Sequence, residues 1–589
     1  MINSIKTSII FFAAFVLTCC VNMNNSNAQS FLRASGKKIV NENNENILLR
    51  GIGLGGWMLQ EGYMLGINNE GQQHKIKQRI SDLIGEQQTK VFYDNWLSNH
   101  TRKADIDSMK AWGFNSVRLP MHYNLYTLPI EQEPVKGQNT WLEKGFSMTD
   151  SLLAWCKANK MYLILDLHAA PGGQGNDFNI SDRDASKPSL WDSEANQQKT
   201  IALWRKLAER YANEHWIGAY DIINEPNWGF QDPTNDKNGI KEKLNAPLRK
   251  LMVDVTKAIR EVDQKHIVII EGNGWGNNYN GIFPLWDNNM VLSFHKYWAY
   301  NDQASAKGMI TVRDEHNVPV WLGETGENSN VWFTEAIRLF EKNNIGWAWW
   351  PLKKLGNNNP VQVKSNQEYD AILRYWKGEG GKPSAEATKS GLLKLADDLK
   401  IEKGIIHYDV IDAMIRQPFS NETKPFKNNM IKNNTTIYAV DYDLGINGVA
   451  YFDKDTADYH VSTGANTAGN KGRVYRNDGV DISKSTTSKD SYYVSHIETG
   501  EWLQYTIDVE RSGVYSLALN VASKDANGRL SISIDGKPLG QTVNVPNTGD
   551  YTNFKTVQLK NIKLDAGKQK LKVFANTGGF NFNYIRFIE

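Results

Sequence analysis

Two glutamates, Glu225 and Glu324, each close an apolar run of strand type, and 99 residues separate them. That distance is three βα units of about 33 residues, which sets the two carboxyls on the fourth and seventh strands of a parallel sheet and makes them face one another if the sheet closes. Facing carboxyls suit hydrolysis of a glycosidic bond. One protonates the departing oxygen, the other stabilises or captures the oxocarbenium-like carbon, and their surroundings must split their pKa values. Other strand-end residues converge on the same mouth: Arg118, His168, Asn224, His295, Tyr297 and Trp350. Asn224 can donate to a sugar hydroxyl, while Tyr297, aided by Arg118, can keep Glu324 ionised and fix its rotamer. Taken singly, a strand-end Glu is more often an ion-pair partner and a strand-end His a satisfied core residue. As a set at one mouth they are hard to explain as packing.

The elements that must carry these residues are legible as short apolar runs alternating with amphipathic stretches. Strands are predicted at 47–54, 116–121, 161–168, 219–224, 266–272, 290–297, 318–324 and 346–350, with helices at 105–112, 150–159, 194–214, 246–263 and 332–343. Eight parallel strands, each followed by a helix, predict an α/β fold, a closed (β/α)8 barrel whose chemistry lies at the C-terminal strand ends. Helices are read at 368–376 and 385–416, and the Asn/Lys-rich stretch 421–436 reads as a linker. From 437 to 589 short alternating runs, such as 501–509, 513–521, 530–534 and 569–575, predict an all-β sandwich of jelly-roll type. No period of roughly 20 to 50 residues repeats, which argues against a solenoid or propeller.

The 589 residues are too many for one compact core, so two or more domains are expected. With 67 basic and 65 acidic residues the net charge of +2 leaves no electrostatic footprint for nucleic acid. Aromatic residues make up 11% of the chain, 19 of them Trp, and flat rings with polar rims serve sugar-binding surfaces as well as large cores. Lys6, the apolar stretch 8–21 and the small-residue site Ser26-Asn27-Ala28 predict a secretory leader over 1–28, too short for a spanning helix. Cys19 and Cys20 resemble a lipoprotein box, with Thr18 a poor match before Cys19. Beyond the leader only Cys156 remains, so no internal disulfide is expected, and no Cys/His spacing reads as structural zinc. A monomer that is secreted, periplasmic or held on the outer surface is expected, with no transmembrane span.

The runs Asn224-Glu225-Pro226, Gly323-Glu324, Trp112-Gly113-Phe114-Asn115-Ser116-Val117-Arg118-Leu119-Pro120 and Arg50-Gly51-Ile52-Gly53-Leu54-Gly55-Gly56-Trp57 resemble glycoside hydrolase family 5, the retaining (β/α)8 cellulase family. The resemblance covers roughly residues 31–417. It implies that Glu225 is the acid/base and Glu324 the nucleophile, with carboxyls about 5 to 5.5 Å apart. It also implies that Arg118, His168, Asn224, His295 and Tyr297 support them, and that Trp350, or else Trp349, floors the scissile sugar. Leu165-Asp166-Leu167-His168-Ala169-Ala170-Pro171-Gly172-Gly173-Gln174 with Asn176-Asp177-Phe178 resembles the branch that includes exo-β-1,3-glucanases, which favours β-1,3-glucan. The chain departs from that branch at Thr325-Gly326-Glu327-Asn328 and at Phe294-His295-Lys296-Tyr297-Trp298, both at sugar subsites. No cofactor and no metal are expected, because His168 and His295 stand among an Arg, an Asn and two acids already engaged in proton work.

The C-terminal runs Gly448-Val449-Ala450-Tyr451-Phe452-Asp453, Tyr475-Arg476, Val480-Asp481-Ile482, Gly500-Glu501-Trp502-Leu503-Gln504-Tyr505 and Gly578-Gly579-Phe580-Asn581 resemble a family 6 carbohydrate-binding module over 437–589. Such modules clamp a sugar between two aromatic rings and reach it with an amide. By match, Tyr551 is one ring and Asn581 the amide, while His496 stands where a second Tyr or Trp is usual, which weakens stacking. Tyr551 covering the sandwich edge is the alternative. Calcium is not expected, since Tyr438 and Val440 replace acids and Asp453 alone is a weak ligand.

The expected protein is a secreted retaining β-glucanase, its barrel joined by a linker to a sugar-binding sandwich. A β-1,4-glucanase or mannanase is the second reading. A non-catalytic glycan-binding protein on a dead barrel is the rival from another class, opposed by both glutamates and Asn224. A barrel ending near Gln417 is expected to fold and act on soluble substrates by itself.

Overall fold

The computed structural model of the chain describes residues 30–455, 459–460, 465–466, 469–486, 491–540 and 542–589. The leader read at 1–28, with Cys19 and Cys20, lies outside the described residues.

Eight strands form the barrel: β1 Arg50–Gly53, β2 Ser116–His122, β3 Tyr162–Ala169, β4 Ile217–Asp221, β5 Ile267–Glu271, β6 Met290–Lys296, β7 Val320–Gly326 and β8 Trp347–Trp350. Each is parallel to the next, and β8 returns to β1 with Trp347 opposite Arg50 and Trp349 opposite Ile52, which closes the ring. The period of two sorts their side chains into separate cores. Val117, Leu119, Leu163, Leu165, Ile270 and Leu292 face outward beneath the helices. Ile164, Ala219, Ile269, Val291 and Trp321 face inward, and Leu32 and Ile39, from the N-terminal hairpin region, join that inner core.

Helices that follow the barrel strands include α1 Lys103–Trp112, α2 Glu143–Ala158, α3 Glu194–Tyr211, α4 Ala246–Arg260, α5 Gln303–His316 and α6 Asn330–Lys342, while Gln73–Ile84 and Glu86–His100 precede α1 and Gln367–Trp376 follows β8. The expectation of a helix after every strand fails at β5, which runs into a single turn, Asn273–Gly276. There Gly274 and Trp275 adopt left-handed backbone, and the Asn273 side chain ties the turn to Trp228 and Asn245. Conversely, α5 was not expected. Ala306 is its one buried residue, so no apolar stripe marks it in the sequence. The stretch 385–416 is two helices, Ala385–Asp398 and α7 Tyr408–Ile415, and α7 packs on α6.

The C-terminal region is two packed sheets. Its main strands are β9 Tyr492–Ile497, β10 Trp502–Val509, β11 Gly513–Ala522, β12 Arg529–Ile534, β13 Lys555–Leu564, β14 Gly567–Thr577 and β15 Phe580–Ile588. One sheet runs β10-β14-β12 and the other β9-β15-β11-β13, all antiparallel. Tyr505, Ile507, Leu571 and Val573 from the first meet Leu517, Leu519, Phe582 and Phe587 from the second in one apolar core. The first sheet begins inside the stretch read as a linker: Met430–Ile431 pairs in parallel with β10, and Lys424 exchanges backbone hydrogen bonds with Leu444. Among the described residues no helix is long and apolar enough to cross a membrane.

Candidate active site

Glu324 reaches the barrel interior through a bulge. In the β6/β7 pair Ser293 stands opposite Trp321 and Phe294 opposite Leu322, but His295 stands opposite Glu324, leaving Gly323 as the extra residue. One inserted residue switches the face of everything beyond it, so Glu324 shares the interior with Trp321 although three positions separate them. A side chain at 323 would not fit: a Cβ there would lie 2.1 Å from Ser293 Oγ and 3.2 Å from His295 Nε2. Glu225 stands beyond β4 in left-handed backbone, φ 45°, a conformation costing about 1–3 kcal/mol in a non-glycine residue. Its N–H donates to Glu271 Oε2 at 2.7 Å and its carbonyl accepts from Asn227 Nδ2 at 2.9 Å, which hold it there.

Beneath the two glutamates lies a layer of buried charge centred on Arg118, which is 1% exposed. Its guanidinium donates to Glu324, to Asp221 Oδ2 at 2.9 and 3.1 Å, to Glu271 Oε1 at 3.1 Å and to Asn224 Oδ1 at 2.9 Å. Asp166 Oδ1 lies 3.3 Å away. Four acids around one cation cannot all be cheaply ionised, and burial together with Glu271 pushes Asp221 well above the usual carboxylate range.

Above that layer His295 joins the two glutamates. Its Nδ1 lies 2.6 Å from Glu225 Oε1 and 3.5 Å from Glu324 Oε2, and its Nε2 lies 3.2 Å from Glu271 Oε1. Burial opposes its charge, yet Glu271, Glu324 and Glu225 together hold its pKa well above the usual value. One carboxylate oxygen of Glu225 and one of Glu324 lie within 4.8 Å of each other. Burial would raise both acids, but they part company. Glu225 is raised, with His295 resisting. Glu324 is lowered to about 2, because His295, Arg118, His168 and the Tyr297 hydroxyl, which donates at 2.7 Å to Oε2, outweigh burial.

His168 is fixed from both sides: Nδ1 lies 2.8 Å from Asp166 Oδ2, and Asn224 Nδ2 donates to Nε2 at 3.3 Å. Trp350 stacks on His168 with ring centroids 5.0 Å apart at 9°, and its Nε1 donates to the Tyr63 hydroxyl at 3.0 Å. A Cβ at Gly53 would stand 2.4 Å from the Trp350 ring and one at Gly55 2.6 Å, which explains the glycines of β1 and the following loop. Trp349 packs edge-on against Phe333 and Trp347 in the helix-covered core. Of the two tryptophans, Trp350 is the one beside the acids' supporting residues.

In the sandwich, Tyr551, His496 and Asn581 line a single cavity of about 710 Å³ with Glu498, Thr499 and Gly578. Tyr551 is 38% exposed and His496 is exposed. Asn581 is committed within the protein, its Oδ1 accepting from His496 N at 3.3 Å and its Nδ2 donating to Tyr551 O at 2.7 Å, so it ties together the two segments that carry the rings. Asp453 is buried and pushed up to about 9 by burial, Glu501 and Asp481.

The Cellulase (glycosyl hydrolase family 5) family model matches residues 76–356, and the carbohydrate binding module (family 6) model matches residues 455–589. Endoglucanase C of Acetivibrio thermocellus is 30% identical over 330 residues, 46% of this chain and 88% of that protein. The chain belongs to glycosyl hydrolase family 5. This family 5 glycoside hydrolase is also 25% identical to a beta-xylosidase of Phanerodontia chrysosporium over 382 residues, 59% of this chain and 75% of that one. It is 28% identical to a probable glucan 1,3-beta-glucosidase A of Aspergillus niger over 183 residues, 31% of this chain and 41% of that one.

Several residues of this family 5 site lay outside the sequence reading. Asp166 and Asp221 interrupt apolar runs and Glu271 ends one, each at an inward position, and that was the available signal. Glu61, in the loop after β1, is buried, and its pKa is pushed well up by burial, Glu324 and Glu327; nothing local in the sequence marks it. Among the described residues, Glu225, His295 and Glu324 are the one group with the spacing to hold a metal ion. Their ligand atoms are engaged with one another, Arg118 and Tyr297.

Proposed function

We propose that the chain is a secreted retaining β-glucan hydrolase in which Glu225 is the general acid and base and Glu324 the nucleophile. The observation that carries this is the opposite push on two facing carboxyls: burial raises Glu225, while His295, Arg118, His168 and Tyr297 hold Glu324 at about 2. A carboxyl of raised pKa facing an anion, with one oxygen of each within 4.8 Å of the other, suits the short separation of a double displacement. Glu324 attacks the anomeric carbon as the glycosidic C–O bond breaks, and the Glu225 proton passes to the departing oxygen. The Glu225 carboxylate then takes a proton from water, whose oxygen displaces Glu324 from the anomeric carbon and restores both residues. Trp350 is proposed as the floor under the reacting sugar, and Asn224 and His168 as partners of its hydroxyls.

β-1,3-glucan is the favoured substrate, supported by the likeness to a probable glucan 1,3-beta-glucosidase. A β-1,4-glucan is the second reading, supported by 30% identity to an endoglucanase over most of that protein's length. Initial rates on laminarin, β-1,6-glucan, mixed-linkage glucan, carboxymethylcellulose and mannan discriminate these. Proton NMR of the first-formed anomer tests retention, and an inverted product would overturn the mechanism.

Residues 1–28 are proposed as a leader, 29–420 as the catalytic barrel, 421–436 as the connection and 437–589 as a glycan-binding module that uses Tyr551 and His496, with Asn581 holding them. The hydrolase is proposed to work as a monomer, which size-exclusion chromatography with light scattering checks.

A further inference from the structure

The sandwich touches the barrel at the loop that follows the nucleophile strand. Asn477 is 5% exposed, Asn328 0%, Asn330 4% and Asp409 1%. Asn477 Nδ2 donates to the Asn328 carbonyl at 2.8 Å and to Asn330 Oδ1 at 3.1 Å. Its backbone N–H donates to Asp409 Oδ2 at 2.8 Å, and its carbonyl accepts from Asn330 N at 2.8 Å. Asn330 Nδ2 donates to the same Asp409 oxygen at 2.8 Å. The neighbouring Arg476 is anchored inside the sandwich by Asp478 and the Tyr442 carbonyl, so Asn477 is presented from a rigid base.

The loop that receives these bonds leads back to the reacting atoms. Asn328 Nδ2 donates to the Tyr297 carbonyl at 3.1 Å, and the Tyr297 hydroxyl donates to Glu324 Oε2 at 2.7 Å. We infer that Asn477 is a positioning residue for the hydrolysis, a side chain of the sandwich that locks the 328–330 loop and through it holds Tyr297 on Glu324. The inference rests on the proposed reading of Glu324 as nucleophile. Physically, removing the Asn477 amide leaves a buried carbonyl and a buried amide oxygen without their donor, a penalty the loop can relieve only by moving. Moving it releases the Tyr297 carbonyl, and the hydroxyl at the other end of that residue loses its aim. The titratable groups about Glu324 and Tyr297 include Arg118, His168, His295, Glu225 and Glu61, together with Glu327, which lies next to the loop and pairs with Lys354; the hydrogen bonds of Asn477 go to Asn328, Asn330 and Asp409 and to none of these. The sandwich is thereby part of the catalytic apparatus as well as a module beside it.

The test uses the full chain and a soluble aryl β-glucoside. Asn477→Ala is expected to lower kcat on the order of tenfold, the scale of one lost positioning hydrogen bond, with KM little changed and the acidic limb of the kcat profile moved to higher pH. In a Tyr297→Phe background the same substitution should cost less than about twofold, because the relay already ends nowhere. Asn357→Ala removes the contact with the Arg473 and Arg476 carbonyls across the same interface without touching the 328–330 loop; it should leave the pH profile in place. Should Asn477→Ala fail to fold, Asn477→Ser, which retains both backbone hydrogen bonds, carries the same measurements. Unchanged kcat and acidic limb, a penalty that persists undiminished with Tyr297→Phe, or an equal shift from Asn357→Ala would each overturn the inference. Glu324→Gln separates the two levels: if it is inactive while Asn477→Ala is normal, the relay alone is wrong, and if it is active, the reading of the nucleophile fails.

Discussion

His295 Nδ1 stands 2.6 Å from Glu225 Oε1, so the imidazole is shared between the two carboxyls of the site, with Glu324 Oε2 at 3.5 Å. Its positive charge lowers the pKa of both. What separates the acids is on the other side: Arg118 and the Tyr297 hydroxyl reach Glu324 alone. The surroundings thus differentiate two chemically identical groups by donors supplied to one of them.

Replacing His295 by Asn tests that arrangement through pH. On the proposed mechanism turnover needs Glu324 ionised, above its pKa of about 2, and Glu225 protonated, below its raised pKa. Loss of the imidazolium removes a positive charge that lowers both values, so both limbs of the kcat/KM profile should move to higher pH together. A profile that keeps its acidic limb, or moves it downward, would show that His295 is neutral in the resting site.

The two glutamates should respond differently to removal. Glu324→Gln is expected to abolish turnover on every substrate, since no bond to the anomeric carbon can form. Glu225→Ala is expected to cost about 10²–10⁴ on unactivated glycosides and far less on substrates whose leaving group departs without a proton. Rates across a series of leaving-group pKa values, for both variants, provide the check; equal losses across the series would reverse the assignment.

All eight strands and the mouth residues were readable because they rest on local signals, apolar runs of strand length ended by polar residues. The buried acids were readable in principle. Asp166 sits between Leu165 and Leu167, and an acid at an inward position of a strand demands a buried cation, which Arg118 supplies. Other features depend on long-range contact. The bulge that turns Glu324 inward is visible only as register against Ser293 and His295. The missing helix after β5 reflects side-chain ties to Trp228 and Asn245 that no periodicity encodes. The Asn/Lys-rich connection gives no hint that Asn477, about 150 residues from Asn328 in the chain, bonds the loop that follows Glu324. One amide in a Gly/Asn-rich segment carries no sign of that.

Asp182 offers a stability test independent of catalysis. Its carboxylate lies 2.8 Å from His74 Nδ1 and 2.9 Å from His122 Nε2, and although burial would raise it, these partners hold it at about 2. A depressed carboxylate contributes stability that is complete above the unfolded value of 3.8 and is lost as pH falls through about 2. Asp182→Asn should therefore destabilise the barrel by about 2 kcal/mol near pH 6, a penalty roughly halved by pH 3. Urea unfolding at the two pH values, followed through the barrel tryptophans, measures it; a penalty independent of pH would mean that the histidines recognise shape and not charge.

The sandwich cavity makes the last prediction. Tyr551 and His496 are both exposed on its lining, and Asn581 bridges the segments that carry them, so the cleft is held open by a bond that does not depend on ligand. A tyrosine ring stacks on a sugar face with a worth on the order of 1 kcal/mol, while an imidazole offers less surface and, when protonated, a poorer apolar face. Tyr551→Ala in the full chain should weaken retention on insoluble glucan several-fold and slow its hydrolysis, leaving rates on an aryl glycoside unchanged, because tethering raises local concentration without touching the acids. His496→Trp should act in the opposite direction and tighten polymer binding. Pull-down on insoluble glucan beside soluble-substrate kinetics separates the two effects. If Tyr551→Ala binds polymer normally and His496→Trp gains nothing, the cleft is an edge of the sandwich and not its sugar site.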